Sequence, residues 1–191
     1  MERNLILIVL SIIFLFLINL KAVYGELKVT AIEHKDGKTN IVLNDMVKIN
    51  GLKIKDGKID FPIYASKGKI YKEFAILKRD FNQYIVDSIS KSALSDCNDL
   101  ISFKINKFNI VRNHKNVGAS VSVILDGVLE IECRIMKGKD GLWVAFPAQK
   151  QNNKWINHIS FRDYDFKKRI ETALISKYIE MTTTAQGMQK R

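Results

Sequence analysis

Few residues of this chain have the types and spacing to do chemistry. The densest group is Arg162, Lys167, Lys168, Arg169 and Lys177. Such a group can neutralise phosphates of DNA, RNA or another polyanion and release their condensed counterions. It can equally be a solvated helix face. The three histidines, His34, His114 and His158, fall in different segments, and none has metal-ligand spacing. They read as structural or solvent-exposed. Cys97 and Cys133 are too few for a disulfide framework, although an exported chain could pair them. Asp60, Glu73, Asp80 and Asp165 form no evident carboxylate pair for general acid–base work. No phosphate-binding glycine loop, nucleophile elbow or metal motif is present. The expectation is a binding protein without enzymatic activity, cofactor or metal.

The basic group needs a helix to position it. Phe166, Ile170, Ala173, Leu174 and Tyr178 recur at helical spacing. With Phe166, Ile170 and Leu174 turned to a sheet, Lys167, Lys168 and Lys177 point mostly outward. Ahead of the helix stands Gly141-Leu142-Trp143-Val144-Ala145-Phe146-Pro147, which reads as a buried strand closed by a proline that cannot continue a ladder. A polar loop from Gln149 to Asn153 and a second strand from Lys154 to Phe161 follow. An earlier part of the chain repeats this plan. With Pro62 set on Pro147, an offset of 85, Phe61 meets Phe146, Ile70 meets Trp155 and Phe74 meets Ile159. At the same offset Ile76 meets Phe161, Asp80-Phe81 meets Asp165-Phe166, and Ile85 meets Ile170. Upstream the offset is about 81, where Lys53-Ile54 meets Arg134-Ile135. A period near 80 exceeds the roughly 20–50 residues of solenoid repeats, so two tandem domains fit better.

The second copy resembles the SpoVG (stage V sporulation protein G) family. The resemblance rests on Arg134-Ile135, Gly138, Gly141 to Pro147, and the helix Arg169-Ile170-Glu171-Thr172-Ala173-Leu174, and it covers Ile101 to Met181. It implies an α+β fold in which each copy is an antiparallel β-sheet followed by a C-terminal α-helix. It also implies bacterial septation and sporulation control, and binding of DNA or RNA. Family members are usually single-domain, cytoplasmic dimers. This chain departs from them in its two copies, in its exported-looking leader, and in Phe161-Arg162-Asp163-Tyr164 before the helix. Cys133 falls where the family carries an apolar strand residue, which implies a buried free thiol. Where the family pairs two chains, the two copies here should form an intramolecular pseudo-dimer in a monomeric chain. A short linker holds the second copy at about millimolar effective concentration.

The chain has 191 residues and a formal net charge of +11. Residues 1–25 contain Glu2, Arg3 and Lys21, a net +1, so +10 remains on the rest. That excess suits an acidic partner, although a lysine-rich surface also follows from biased genome composition. Leu5 to Leu20 is apolar except for Ser11 and Asn19, and Val23 and Gly25 are placed for cleavage before Glu26. The layout is that of a secretory signal. A cleaved leader implies a periplasmic or secreted protein; an uncleaved one implies a membrane anchor. The expected plan is a leader at 1–25, domains at 26–92 and 101–181, a linker at 93–100 and a flexible tail at 182–191. Turns are expected at Asp36-Gly37, Asp56-Gly57, Asn113 to Asn116 and Asp126-Gly127. Asp80 is expected to cap the first helix. Besides a nucleic-acid-binding regulator, an exported binding or scaffold module at the cell envelope, reusing the fold, stays open.

Overall fold

Two Asp-Gly turns set the hairpins on which the fold is built. Asp56 and Gly57 have φ of 51° and 68°, and Asp126 and Gly127 have 42° and 69°. Positive φ at both central residues is the two-residue turn whose twist matches the strands it joins. The structure, a computed structural model, describes residues 26–188 apart from residues 36, 67 and 98. The apolar run at residues 5–20 and Val23 to Gly25, where cleavage is expected from the sequence, lie outside the described residues. No helix among those described is long and apolar enough to cross a membrane.

The order of elements is the same in the two halves. The first half runs β1 (Val29–Lys35), β2 (Lys38–Leu43), β3 (Val47–Lys55), β4 (Lys58–Asp60), a two-stranded arm of β5 (Ile63–Ser66) and β6 (Lys69–Lys72), then β7 (Phe74–Ile76) and helix α1 (Arg79–Lys91). The second runs β8 (Phe103–Ile110), β9 (Val117–Leu125), β10 (Leu129–Gly138) and β11 (Gly141–Ala145). Its arm is β12 (Ala148–Gln151) and β13 (Lys154–Asn157), followed by β14 (Ile159–Phe161) and helix α2 (Tyr164–Met188). The fold is α+β, with antiparallel sheets and a helix closing each half.

The halves exchange strands. The first sheet is β1-β2-β3, and its inner edge is completed by β14 from the other half, with Ile159 opposite Ile49 and Phe161 opposite Val47. The second sheet is β8-β9-β10-β11, and β7 completes it in the same way, with Phe74 opposite Ile131 and Ile76 opposite Leu129. Flanking backbone bonds repeat as well. The Asn50 N–H donates to the His158 carbonyl at 2.8 Å, and the Glu132 N–H donates to the Glu73 carbonyl at 2.9 Å. Each half therefore satisfies an edge that the other would leave bare. Val47 and Leu129, and Ile49 and Ile131, stand 82 residues apart. Past Gly51 the buried partners are Leu52 and Cys133, 81 apart. The one-residue change is a bulge: the register of β2 on β3 shifts there, and Gly51 has φ of 79°, a conformation glycine adopts without strain.

The core runs through both sheets and both helices. Phe166, Ile170 and Leu174 of α2 are fully buried, as are Ile41, Ile49, Leu125 and Ile135 of the strands. Each such side chain contributes about 1.5–3 kcal/mol on leaving water. Gly118 of β9 lies under α2. A Cβ there would stand 2.9 Å from the Tyr178 ring, so the helix rests directly on the strand backbone.

Several expectations need correction. Gly141 to Pro147 is not a buried strand. β11 is an edge strand paired on one side alone; Val144 is buried, but Trp143 is 51% exposed. Lys154 to Phe161 is not one strand. It breaks at His158 into an arm strand and an exchanged strand, as the first half breaks at Glu73. Asp80 lies in the first turn of α1, and the N-cap is Lys78, without a side-chain cap bond. α2 continues through residues 182–188, where a tail is expected from the sequence. There the Thr182 and Thr184 hydroxyls donate back to the Tyr178 and Glu180 carbonyls. In the segment expected as a linker, the Ser95 N–H donates to the Val29 carbonyl, and the Asp99 carbonyl accepts from the Asn44 amide. Cys133 is a buried free thiol whose pKa burial pushes up, and Cys97 is also free and buried.

Candidate nucleic-acid interface

α2 is anchored at its start. The Asp163 carboxylate accepts from the Phe166 N–H at 2.8 Å, satisfying a first-turn donor that the helix itself cannot. Phe166 then packs edge-on to Phe103 at 6.0 Å and against Phe161. This fixes the rotation of the helix, and with it the direction of each basic side chain.

The five basic residues separate into two sets. Arg162 precedes the helix and reaches across to the first half, 3.1 Å from Glu33 and 3.8 Å from Asp45. Lys167 is 3.4 Å from Glu171, one turn along, and Lys177 is 3.0 Å from Glu180. These surface pairs add about 0–1 kcal/mol each to stability, but they occupy the cations. Lys168 and Arg169 are exposed and have no carboxylate within salt-bridge distance among the described residues. The Arg169 guanidinium lies over the Phe166 ring, 5.4 Å from its centre. The helix thus brings together the Lys168-Arg169 pair and disperses the other three cations among acidic neighbours. A bond from Lys48, with the Arg162 charge beside it, holds the Glu33 carboxyl below its ordinary range, so Glu33 competes with any phosphate for Arg162.

Residues 100–180 match the family model described as SpoVG. The matched segment begins before β8 and ends in α2, so it takes in Arg162, Lys167, Lys168, Arg169 and Lys177. No curated protein and no solved structure matches the chain. The matched segment spans β8 to β11 of the second sheet, its arm, the strand given to the first half, and most of the second helix.

Other polar groups sit on the faces of the two sheets. On the second sheet, Glu130 accepts from Ser122 at 2.6 Å and Asn106 at 2.8 Å, with Lys107 at 3.1 Å. Burial pushes its carboxyl up, but these donors together hold it below the ordinary range. Asp126, in the β9–β10 turn, accepts from the Ser102 N–H and hydroxyl through one oxygen, while its other oxygen is buried without a partner. Burial raises its pKa. Among the described residues no group of three His, Cys, Asp or Glu could hold a metal ion.

Two features escaped the sequence reading. His158 is buried against Glu73, Nδ1 to Oε2 at 2.7 Å. The two stand 85 residues apart at matching positions, each just before an exchanged strand. The offset that aligned the two halves contained this pair, but strand exchange was needed to bring it into contact. Lysines with no carboxylate in salt-bridge distance among the described residues also line the first sheet. They come from three strands and form no run in sequence.

Proposed function

We propose that this protein is a non-enzymatic regulator of the SpoVG type, associated with septation or sporulation control, that binds DNA or RNA through the outward face of α2. The observation that carries the reading is the Lys168-Arg169 pair, adjacent, exposed and free of carboxylate partners within the segment that matches the SpoVG model. Arg162, Lys167 and Lys177 join as secondary contacts, because each must first leave an acidic neighbour. The contacts are to phosphates, so sequence preference is weak. The chain works as a monomer whose two halves act as an internal pair.

The test is a titration of labelled duplex DNA and of RNA at two salt concentrations. Each phosphate contact adds about 0.9 to the log–log salt slope on duplex DNA. Replacing Lys168 and Arg169 with alanine should flatten that slope by about 2. Lys168→Ala alone, which leaves the Arg169–Phe166 stack in place, should flatten it by about 1. Equal slopes for wild type and the double variant would remove α2 as the site.

The apolar run at residues 5–20 favours a second reading, an exported or membrane-anchored envelope module that binds polyanions in general. N-terminal sequencing after production in a secreting host separates the two: a start at Glu26 supports export, and an intact Met1 in a soluble cytoplasmic fraction excludes it.

A further inference from the structure

A cleft of about 830 Å³ lies between the outer face of the first sheet and the β12–β13 arm of the other half, and Phe61 and Pro62 also line it. Its volume is in the range of about 300–1,000 Å³ typical of small-ligand sites. We propose that this cleft binds a small phosphorylated ligand of nucleotide size, at one site per chain.

The sheet side supplies the charge. Lys35, Lys38, Lys48 and Lys53 line the cleft against two carboxylates, Glu33 and Asp60. Lys48 is taken by Glu33. Lys38 and Lys53 have no carboxylate within salt-bridge distance among the described residues, so their ammonium groups are free to meet an anion. The bulge at Gly51 puts them there. On either side of it Ile49 and Leu52 stay buried, so Lys48, Asn50 and Lys53 all emerge on the outer face. The Asn40 side-chain oxygen accepts from the Gly51 N–H at 2.9 Å and fixes the bulge.

The arm supplies the polar recognition. Gln149 and Gln151, two apart on β12, share one face of the strand. Their amides make no side-chain hydrogen bond to protein among the described residues, and each offers a donor and an acceptor suited to hydroxyls or base edges. The walls are tied together before any ligand enters: the Asn50 amide donates to the Asn157 carbonyl at 3.1 Å, and its N–H donates to the His158 carbonyl. A site fixed in advance gives up little conformational freedom on binding.

The second half lacks the same chemistry. Where the first sheet presents Lys48 and Asn50, the second presents Glu130 and Glu132, without the Gly51 bulge. Those carboxylates, held by Ser122, Asn106 and Lys107, would repel a phosphate. This is why one site per chain is expected from a fold with two like halves.

The experiment is calorimetric titration of the full chain with ATP and with adenosine. Saturable ATP binding at one equivalent is expected, with adenosine weaker by about tenfold or more, since it lacks the phosphates that the lysines would meet. Lys38→Gln/Lys53→Gln should weaken ATP by about tenfold or more. Both side chains are exposed, and circular dichroism should be unchanged. The Lys168→Ala/Arg169→Ala variant should bind ATP as the wild type does, which keeps this site separate from the α2 reading. No saturable ATP binding, two equivalents per chain, or unchanged affinity in the lysine variant would overturn the proposal.

Discussion

Replacing His158 with alanine should be among the most damaging single changes in this protein. The His158 and Glu73 side chains are 6% and 7% exposed, and their 2.7 Å contact sits where the two halves hand strands to each other. Removing one member leaves a buried polar group without its partner, at a cost of about 3–5 kcal/mol. For a chain of this length each kcal/mol lowers the midpoint of thermal unfolding by about 2–4 °C. The drop should therefore be about 10 °C, a large share of the roughly 5–15 kcal/mol that holds such a protein folded. Glu73→Gln, which keeps a hydrogen-bonding group, should cost less. The decisive variant exchanges the two residues. Because they occupy matching positions in the two halves, Glu73→His/His158→Glu restores the contact with its polarity reversed, and it should recover more than half of what the two single exchanges lose. Chemical denaturation of wild type, Glu73→His, His158→Glu and the double variant measures this as a coupling energy. If the two single costs add to within about 0.5 kcal/mol, the pair does not couple the halves and the reasoning fails.

Other outcomes follow from single contacts. Gly118→Ala would push a Cβ into the Tyr178 ring, and overpacking of this kind costs about 1–3 kcal/mol; denaturant unfolding should show that loss, and Tyr178→Leu in the same chain should return part of it. Asp126→Asn replaces a carboxylate, one oxygen of which is buried without a partner, by a neutral amide of the same shape. Because burial raises the Asp126 pKa, its contribution to stability is fully present below its unfolded pKa and is lost as pH rises through the folded value. The asparagine variant should thus be the more stable one at neutral pH, by about 1 kcal/mol, with the difference shrinking towards acid. Equal unfolding midpoints across that pH range would refute this.

Much of the scaffold was legible in the sequence. Asp56-Gly57 and Asp126-Gly127 announced their hairpins because few residue pairs accept two positive φ values in succession. Phe81, Ile85 and Ile89, and Phe166, Ile170 and Leu174, announced the helices because their spacing puts each set on one face. Local pattern carried both signals. Strand exchange was hidden, because β7 and β14 are three residues each and look like the ends of the arms before them. Nothing in Phe74-Ala75-Ile76 says whose sheet it will join. The basic run on α2 was legible as composition, but its pairing was not: Glu33 and Asp45, which hold Arg162, lie more than a hundred residues away. Trp143 read as core because it is large and apolar, yet an edge strand has a side to spare.

The exchange of β7 and β14 also bears on how the protein is made. As the chain leaves the ribosome, β3 waits with its inner edge open until residues 159–161 arrive, more than a hundred residues later. β7 waits as well, though less long, since its partner β10 comes some fifty residues after it. Neither half can close by itself, so nascent chains on one messenger pass through a stage in which an unfinished sheet of one could accept the strand of its neighbour.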